Sequence, residues 1–113
     1  MLKKLNPLNK AIETAQEKIQ TLLASTLGNL ANSKVSDIKD DATYQTLIIN
    51  PAYMALSGSL GGVDKFIPTI KEKFTAILMD VRDELVVIEG NSLSLQEDAQ
   101  QRLPKIIQAN LKA

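Results

Sequence analysis

The sequence contains no cysteine, no histidine and no tryptophan. Without cysteine there is no disulfide to close a loop, so folding has to rest on apolar burial. Without cysteine and histidine, the thiolate and imidazole ligands of structural zinc, haem and iron–sulfur groups are missing as well. Nucleophile–base pairs built on those residues are excluded, and so is an imidazole proton shuttle. Aromatic residues are scarce, two Tyr and two Phe. Neither sign of charge is in excess, because 13 Lys plus Arg balance 13 Asp plus Glu. A protein that grips nucleic acid needs a basic footprint, so no nucleic-acid partner is expected. The N-terminal MLKKLNPLNK has no apolar run after its lysines, and neither a lipid-accepting cysteine nor a glycine at position 2 is present. The expectation is a cytoplasmic chain without signal peptide or lipid anchor.

What is present is 113 residues, 44% hydrophobic and 23% charged. Those proportions fit one globular domain, expected over residues 1–113, and not a disordered chain. The longest stretch without charge runs from Ala42 to Val63. It is long enough to span a bilayer, but Gln45, Asn50, Pro51 and its serines and glycines dilute it too far. It reads as a helical part of a soluble fold, with no transmembrane segment.

Apolar residues at Leu8, Ile12, Ala15, Ile19, Leu22, Leu23, Leu27 and Leu30 are spaced mostly by four and three. This predicts a helix over about 7–31, with Asn6 as cap and Pro7 in the first helical position. Residues 34–41 are polar and predict a loop or a single turn. Asp40 or Asp41 then caps a helix over about 41–49. Asn50-Pro51 should break the chain there, because a residue before proline is pushed out of the helical region. A further helix over about 51–61 stops at Gly61-Gly62.

A long helix over about 64–89 is expected from Ile67, Ile70, Phe74, Ile77, Leu78, Val81, Leu85 and Ile88, capped by Asp64 and ended by a left-handed Gly90. The last helix, about 95–112, opens on the capping-box pattern Ser94-Leu95-Gln96-Glu97 and should be kinked by Pro104. A second local reading makes LVVIE-GN-SLSL a hairpin, since Gly-Asn between alternating residues is a turn signal. The capping box ranks it second. The fold class expected is all-α, an elongated bundle of four to five helices.

The zero net charge is a sum of alternating blocks. Residues 80–98 carry only Arg82 against Asp80, Asp83, Glu84, Glu89, Glu97 and Asp98. These six acids are the candidate interaction residues, a pole for a basic partner surface. Their spacing fits no calcium loop, and no metal, cofactor or catalytic residue is assigned. The glycines of GSLGGVDK lack the Gly-Lys-Ser/Thr ending of a phosphate loop, and no histidine exists to activate a serine. The expected function is therefore non-enzymatic, exerted through protein–protein contacts. Long apolar stripes predict self-association as a homodimer, with the first helix pairing across chains. The alternative is a carrier of an apolar small molecule or lipid, in a pocket lined by Tyr53, Met54, Leu56 and Leu60.

Overall fold

Helix α1 (Pro7–Ala31) sets the length of the molecule. At 1.5 Å per residue its 25 residues extend about 37 Å. The computed structural model describes residues 7–61 and 69–111, and for residues 7–9 the backbone alone. The expected caps Asn6 and Asp64, and the stretch 64–68 of the third long helix, lie outside the described residues. The apolar stripe of α1 (Ala11, Ala15, Ile19, Leu23, Leu27 and Leu30) is buried within the chain itself. It therefore meets its partners internally and is not the open seam expected to pair with another copy. At the helix end, the Asn32 side chain and the Ser33 hydroxyl donate to the carbonyls of Gly28 and Asn29 (3.1 and 2.7 Å), which also share the Asn32 amide (3.3 and 3.2 Å).

The polar linker forms one turn, α2 (Val35–Ile38), and α3 (Asp41–Tyr44) follows. Asp40 caps α3, its carboxylate accepting from the Thr43 amide at 2.9 Å and from the Thr43 hydroxyl at 2.9 Å. That backbone bond, followed by the hydroxyl bond, holds the Asp40 carboxyl below its ordinary range. The expected break at Asn50-Pro51 does not occur. A π-helical segment, Gln45–Ile49, joins α3 to α4 (Asn50–Leu60), and Asn50 itself is helical (φ −62°, ψ −48°). The widened turn carries the chain past Pro51, which has no N–H to give; π segments and prolines are the usual places where a helix ladder is rearranged. Gly61, at φ 62°, ends α4 as expected.

The largest departure from the sequence reading is at residues 86–95. Helix α5 (Ile70–Leu85) stops before Val86, and β1 (Val86–Glu89) pairs antiparallel with β2 (Ser92–Leu95). The Val-Val-Ile run is the physical reason. Three β-branched side chains in succession are restricted in a helix and favoured in a strand. Gly90, at φ 61°, is left-handed as predicted, but it occupies the first turn position of a two-residue hairpin loop, not a helix end. Ser94 lies in β2 and caps nothing, so α6 (Ala99–Leu111) begins later than the capping box suggested. Pro104 sits inside α6. The carbonyl it leaves unpaired is that of Gln100, an exposed residue that water can reach.

The hairpin reverses the chain, so α5 and α6 pack antiparallel. Lys73 Nζ donates to the Asn110 carbonyl (3.3 Å), and Arg102 reaches the Glu84 carbonyl (3.4 Å) near the other end. Helix α1 lies against α4, α6 and β2. Phe74, Ile77, Leu78, Val81 and Leu85 of α5 share one core with Leu103, Ile107 and Leu111 of α6, Tyr44, Ile49, Leu56 and the α1 stripe. The chain is thus mostly helical with one small hairpin, and somewhat elongated, 57 × 26 × 21 Å along its principal axes.

Candidate functional site

Of the six acids expected to form a pole, four have local partners. Asp80 Oδ2 accepts from the Asn110 amide at 3.0 Å across the α5–α6 seam. Asp83 pairs with Arg82 (3.0 Å). Glu84 and Asp98 both face Arg102, at 3.5 and 3.9 Å. Glu89 and Glu97 are exposed, the first beside the hairpin turn and the second before α6. Among the described residues no three acidic side chains gather where they could hold a metal ion.

Arg82, the one base of the acidic 80–98 block, is a polar junction between elements. Its guanidinium donates to the Ile38 carbonyl at 3.2 Å, pairs with Asp41 Oδ1 at 2.7 Å and lies 5.0 Å from the centre of the Tyr44 ring. Its side chain is 11% exposed, against 74% for Asp41. Burial disfavours its charged form, but the hydrogen bonds and charges of Asp41 and Asp83 outweigh that and raise its pKa. Tyr44 is fully buried, and its hydroxyl donates to the Leu78 carbonyl at 2.6 Å. Burial raises the Tyr44 pKa well above the usual tyrosine range; Arg82 lowers it in part, and Asp83 raises it further. This junction fixes the α2–α3 turns onto α5. Its parts are enclosed or paired, which is the arrangement of a structural clasp.

The uncharged segment is divided by helix face. Leu56 and Leu60 point into the core (1% and 3% exposed). Tyr53 tilts against Phe74 with ring centres 5.7 Å apart, and Lys71 Nζ lies 5.8 Å from the Tyr53 ring. Met54 points outward. Leu56 and Leu60 thus lie on the core side of α4 and Met54 on its outer side. The cavity of this segment, about 260 Å³, is an open groove between α1 and the π segment with α4. It is lined by Leu22, Thr26, Leu47, Ile48, Pro51 and Ala52, among others, and by none of those four. It is smaller than the roughly 300–1,000 Å³ of typical small-molecule sites.

The surface beside this groove is the most distinctive one on the molecule. Leu47 is 49% exposed and Met54 74%. Pro51, Ala55 and Gly58 are exposed on the same helical run. On the α1 side no charged residue occurs between Lys18 and Lys34, and on the other side none follows Asp41 up to Gly61. The neutral 42–63 stretch is half of this surface; the other half is the equally neutral second part of α1, whose absence of charge is the signal the sequence carries for it.

The fold and this surface define a small helical domain with a β-hairpin and an uncharged two-helix face. No family model matches the chain, and no curated protein or solved structure is similar to it. No helix among the described residues is long and apolar enough to cross a membrane.

Proposed function

We propose that this protein is non-enzymatic and acts through protein–protein contacts, with a second copy of itself as partner on the uncharged face of α1 and α4. The observation that carries the reading is the pair of exposed apolar side chains, Leu47 and Met54, on a face without charge. Two neutral surfaces meet without like-charge repulsion, and a two-fold axis makes one patch its own complement. The run from Asp41 to Leu60 spans about 30 Å, and two packed helices present a width of about 20 Å. Such a face covers about 600 Å² per copy, so a dimer buries about 1,200 Å², the lower end of specific interfaces. The dimer is accordingly weak, in the micromolar range. The same reading keeps the chain in the cytoplasm, where a protein without cysteine loses nothing to the reducing environment.

Sedimentation velocity from low to high micromolar protein tests this. The expected result is a reversible monomer–dimer equilibrium that the double variant Leu47→Glu, Met54→Glu abolishes. Because both side chains already face solvent, the variant should keep the wild-type melting temperature. A strict monomer throughout, or a dimer indifferent to the two glutamates, overturns the proposal.

A further inference from the structure

We infer that the outer edge of β1 is a binding site for an extended acidic peptide, which adds to the hairpin as a third strand. The argument starts from register. Gly90-Asn91 is a two-residue loop, so Glu89 and Ser92 form a hydrogen-bonded pair, and alternation puts Val87 with Ser94 and Leu85 with Gln96 in the same class. The Gln96 amide does donate to the Leu85 carbonyl, at 2.8 Å. Val86 and Ile88 therefore turn their main-chain groups away from β2. The Val86 N–H is taken by the Arg82 carbonyl. The Val86 carbonyl and both main-chain groups of Ile88 have no partner among the described residues. A strand edge in this state is the template that an incoming extended chain completes.

The surroundings specify the occupant. A cavity of about 250 Å³ lies along this edge, lined by Val86, Ile88, Arg82, Asp83 and Lys39. A second, of about 540 Å³, lies at the hairpin turn and includes Ser33, Lys34, Ser36, Lys39, Gly90 and Asn91. Lys39 lines both, which places the two side by side as a trough. Arg82 is shared between Asp83 and Asp41, so these three groups together carry one negative charge against the two lysines. Lys34 and Lys39 are exposed and have no ion pair among the described residues. The Glu89 side chain points to the opposite face of the strand from Ile88. The trough thus offers main-chain hydrogen bonds along its wall, the apolar Ile88 side chain and two uncommitted positive charges near the turn. An extended segment that sets an apolar and an acidic side chain two residues apart, both on the Ile88 face, matches all three. A second copy of the chain fits less well, because it brings its own lysine pair to an already positive trough.

The inference does not depend on the dimer, and the Leu47→Glu, Met54→Glu protein is the background for its test. The probe is a blocked synthetic peptide in which valine and aspartate take turns at every second position with serine between them, so that both face the Ile88 side; the lysine-for-aspartate version is the control, and each is titrated into nitrogen-15-labelled protein. The aspartate peptide should slow exchange of the Ile88 amide and shift the Ile88, Gly90 and Asn91 signals; the lysine peptide should not. Ile88→Pro removes the outward donor without touching the β2 ladder and should weaken binding about tenfold or more. Lys34→Glu with Lys39→Glu should weaken it comparably and carries the test should the proline variant fail to fold. Three results each overturn the inference. They are no change at Ile88 with millimolar aspartate peptide, equal protection by the lysine peptide, and Ile88 protection that grows with protein concentration alone, which would make a second copy the occupant.

Discussion

Replacing Arg82 by methionine isolates what holds the α2–α3 turns to α5. Methionine keeps the apolar stem packed and removes the guanidinium alone. The lost bond to the Ile38 carbonyl (3.2 Å) has a charged donor in a largely buried position, which is worth about 1.5–3 kcal/mol. The contact with the Tyr44 ring (5.0 Å) adds about 0.5–1 kcal/mol. The ion pairs add less, because Asp41 and Asp83 are 74% and 60% exposed and rehydrate when the arginine leaves, so each contributes at most about 1 kcal/mol. Removing the guanidinium also relieves the desolvation of a buried charge, which offsets part of the loss. The net expectation is a destabilisation of about 2–3 kcal/mol. For a chain of this length, 1 kcal/mol moves the melting temperature by about 4 °C, so the shift is about 8–12 °C downward. Asp41→Asn removes the negative charge from the shortest contact of the guanidinium, 2.7 Å, yet should cost under about 1 kcal/mol because it lies at the solvent side. Thermal unfolding followed by circular dichroism, with calorimetry, measures both. If Asp41→Asn costs as much as Arg82→Met, the ranking of the buried carbonyl over the exposed carboxylate is wrong.

Other perturbations separate different parts of the same structure. Tyr44→Phe should lose about 1 kcal/mol at neutral pH, the value of its bond to Leu78. The raised Tyr44 pKa means that the unfolded chain ionises first: wild-type stability is complete below the ordinary tyrosine range and falls as pH rises through it, whereas the phenylalanine variant lacks that component of the slope in urea titrations at alkaline pH. Asp40→Ala removes the α3 cap. Because the Asp40 pKa is lowered in the folded state, its contribution is present above the usual carboxylate range and disappears as pH falls through the folded value. The difference in urea midpoint between wild type and variant should therefore shrink in acid, with Asp40→Asn as a pH-insensitive cap. Gly90→Ala should destabilise by about 1–2 kcal/mol, since an open surrounding does not relieve a φ of 61°. Gly28→Ala, at an exposed position in α1 with nothing nearby, should stabilise by about 0.5–1 kcal/mol in denaturant titration.

The helical stripes were legible because burial on one side imposes a period that the residues of α1, α5 and α6 carry openly. The cap at Asp40 and the stop at Gly61 were legible for the same local reason: one side chain or one backbone angle settles each. Two places misled. At Asn50-Pro51 the pre-proline rule is real, but a π turn lets the chain stay helical and bury Ile49 and Leu56, and burial outweighs the local preference. At Leu85–Leu95 two local patterns competed, a helix period extended to Ile88 and a strand alternation around Gly90. The capping box at Ser94 favoured the first, and the Val-Val-Ile run decided for the second. The Arg82 junction had no local signal at all, because Ile38, Asp41 and Tyr44 meet it only once the chain has folded. The same holds for the free edge of β1 and for the groove beside Leu47, both of which are products of tertiary arrangement.

The division of charge gives the two proposed surfaces opposite responses to salt. The ion pairs described above are made by Arg82 and Arg102, and all but Arg82–Asp41, which reaches α3, lie on the half of the molecule built around α5, the hairpin and α6. Arginine's planar fork reaches several acceptors at once, which suits it to junctions between elements. On the other half, the second part of α1 and the run from Ala42 to Leu60 carry no charge of their own, so a contact between copies made through them has no charge–charge term. Salts excluded from protein surfaces, such as sulfate, strengthen apolar burial and should therefore tighten the dimer. The trough beside β1 depends on two exposed lysines, and at 0.15 M ionic strength their field is already screened beyond about 8 Å. Raising sodium chloride should weaken the aspartate peptide while leaving the dimer nearly unchanged. A dimer that dissociates as sodium chloride rises would show that its interface involves charge, and the uncharged face could then not be where the copies meet.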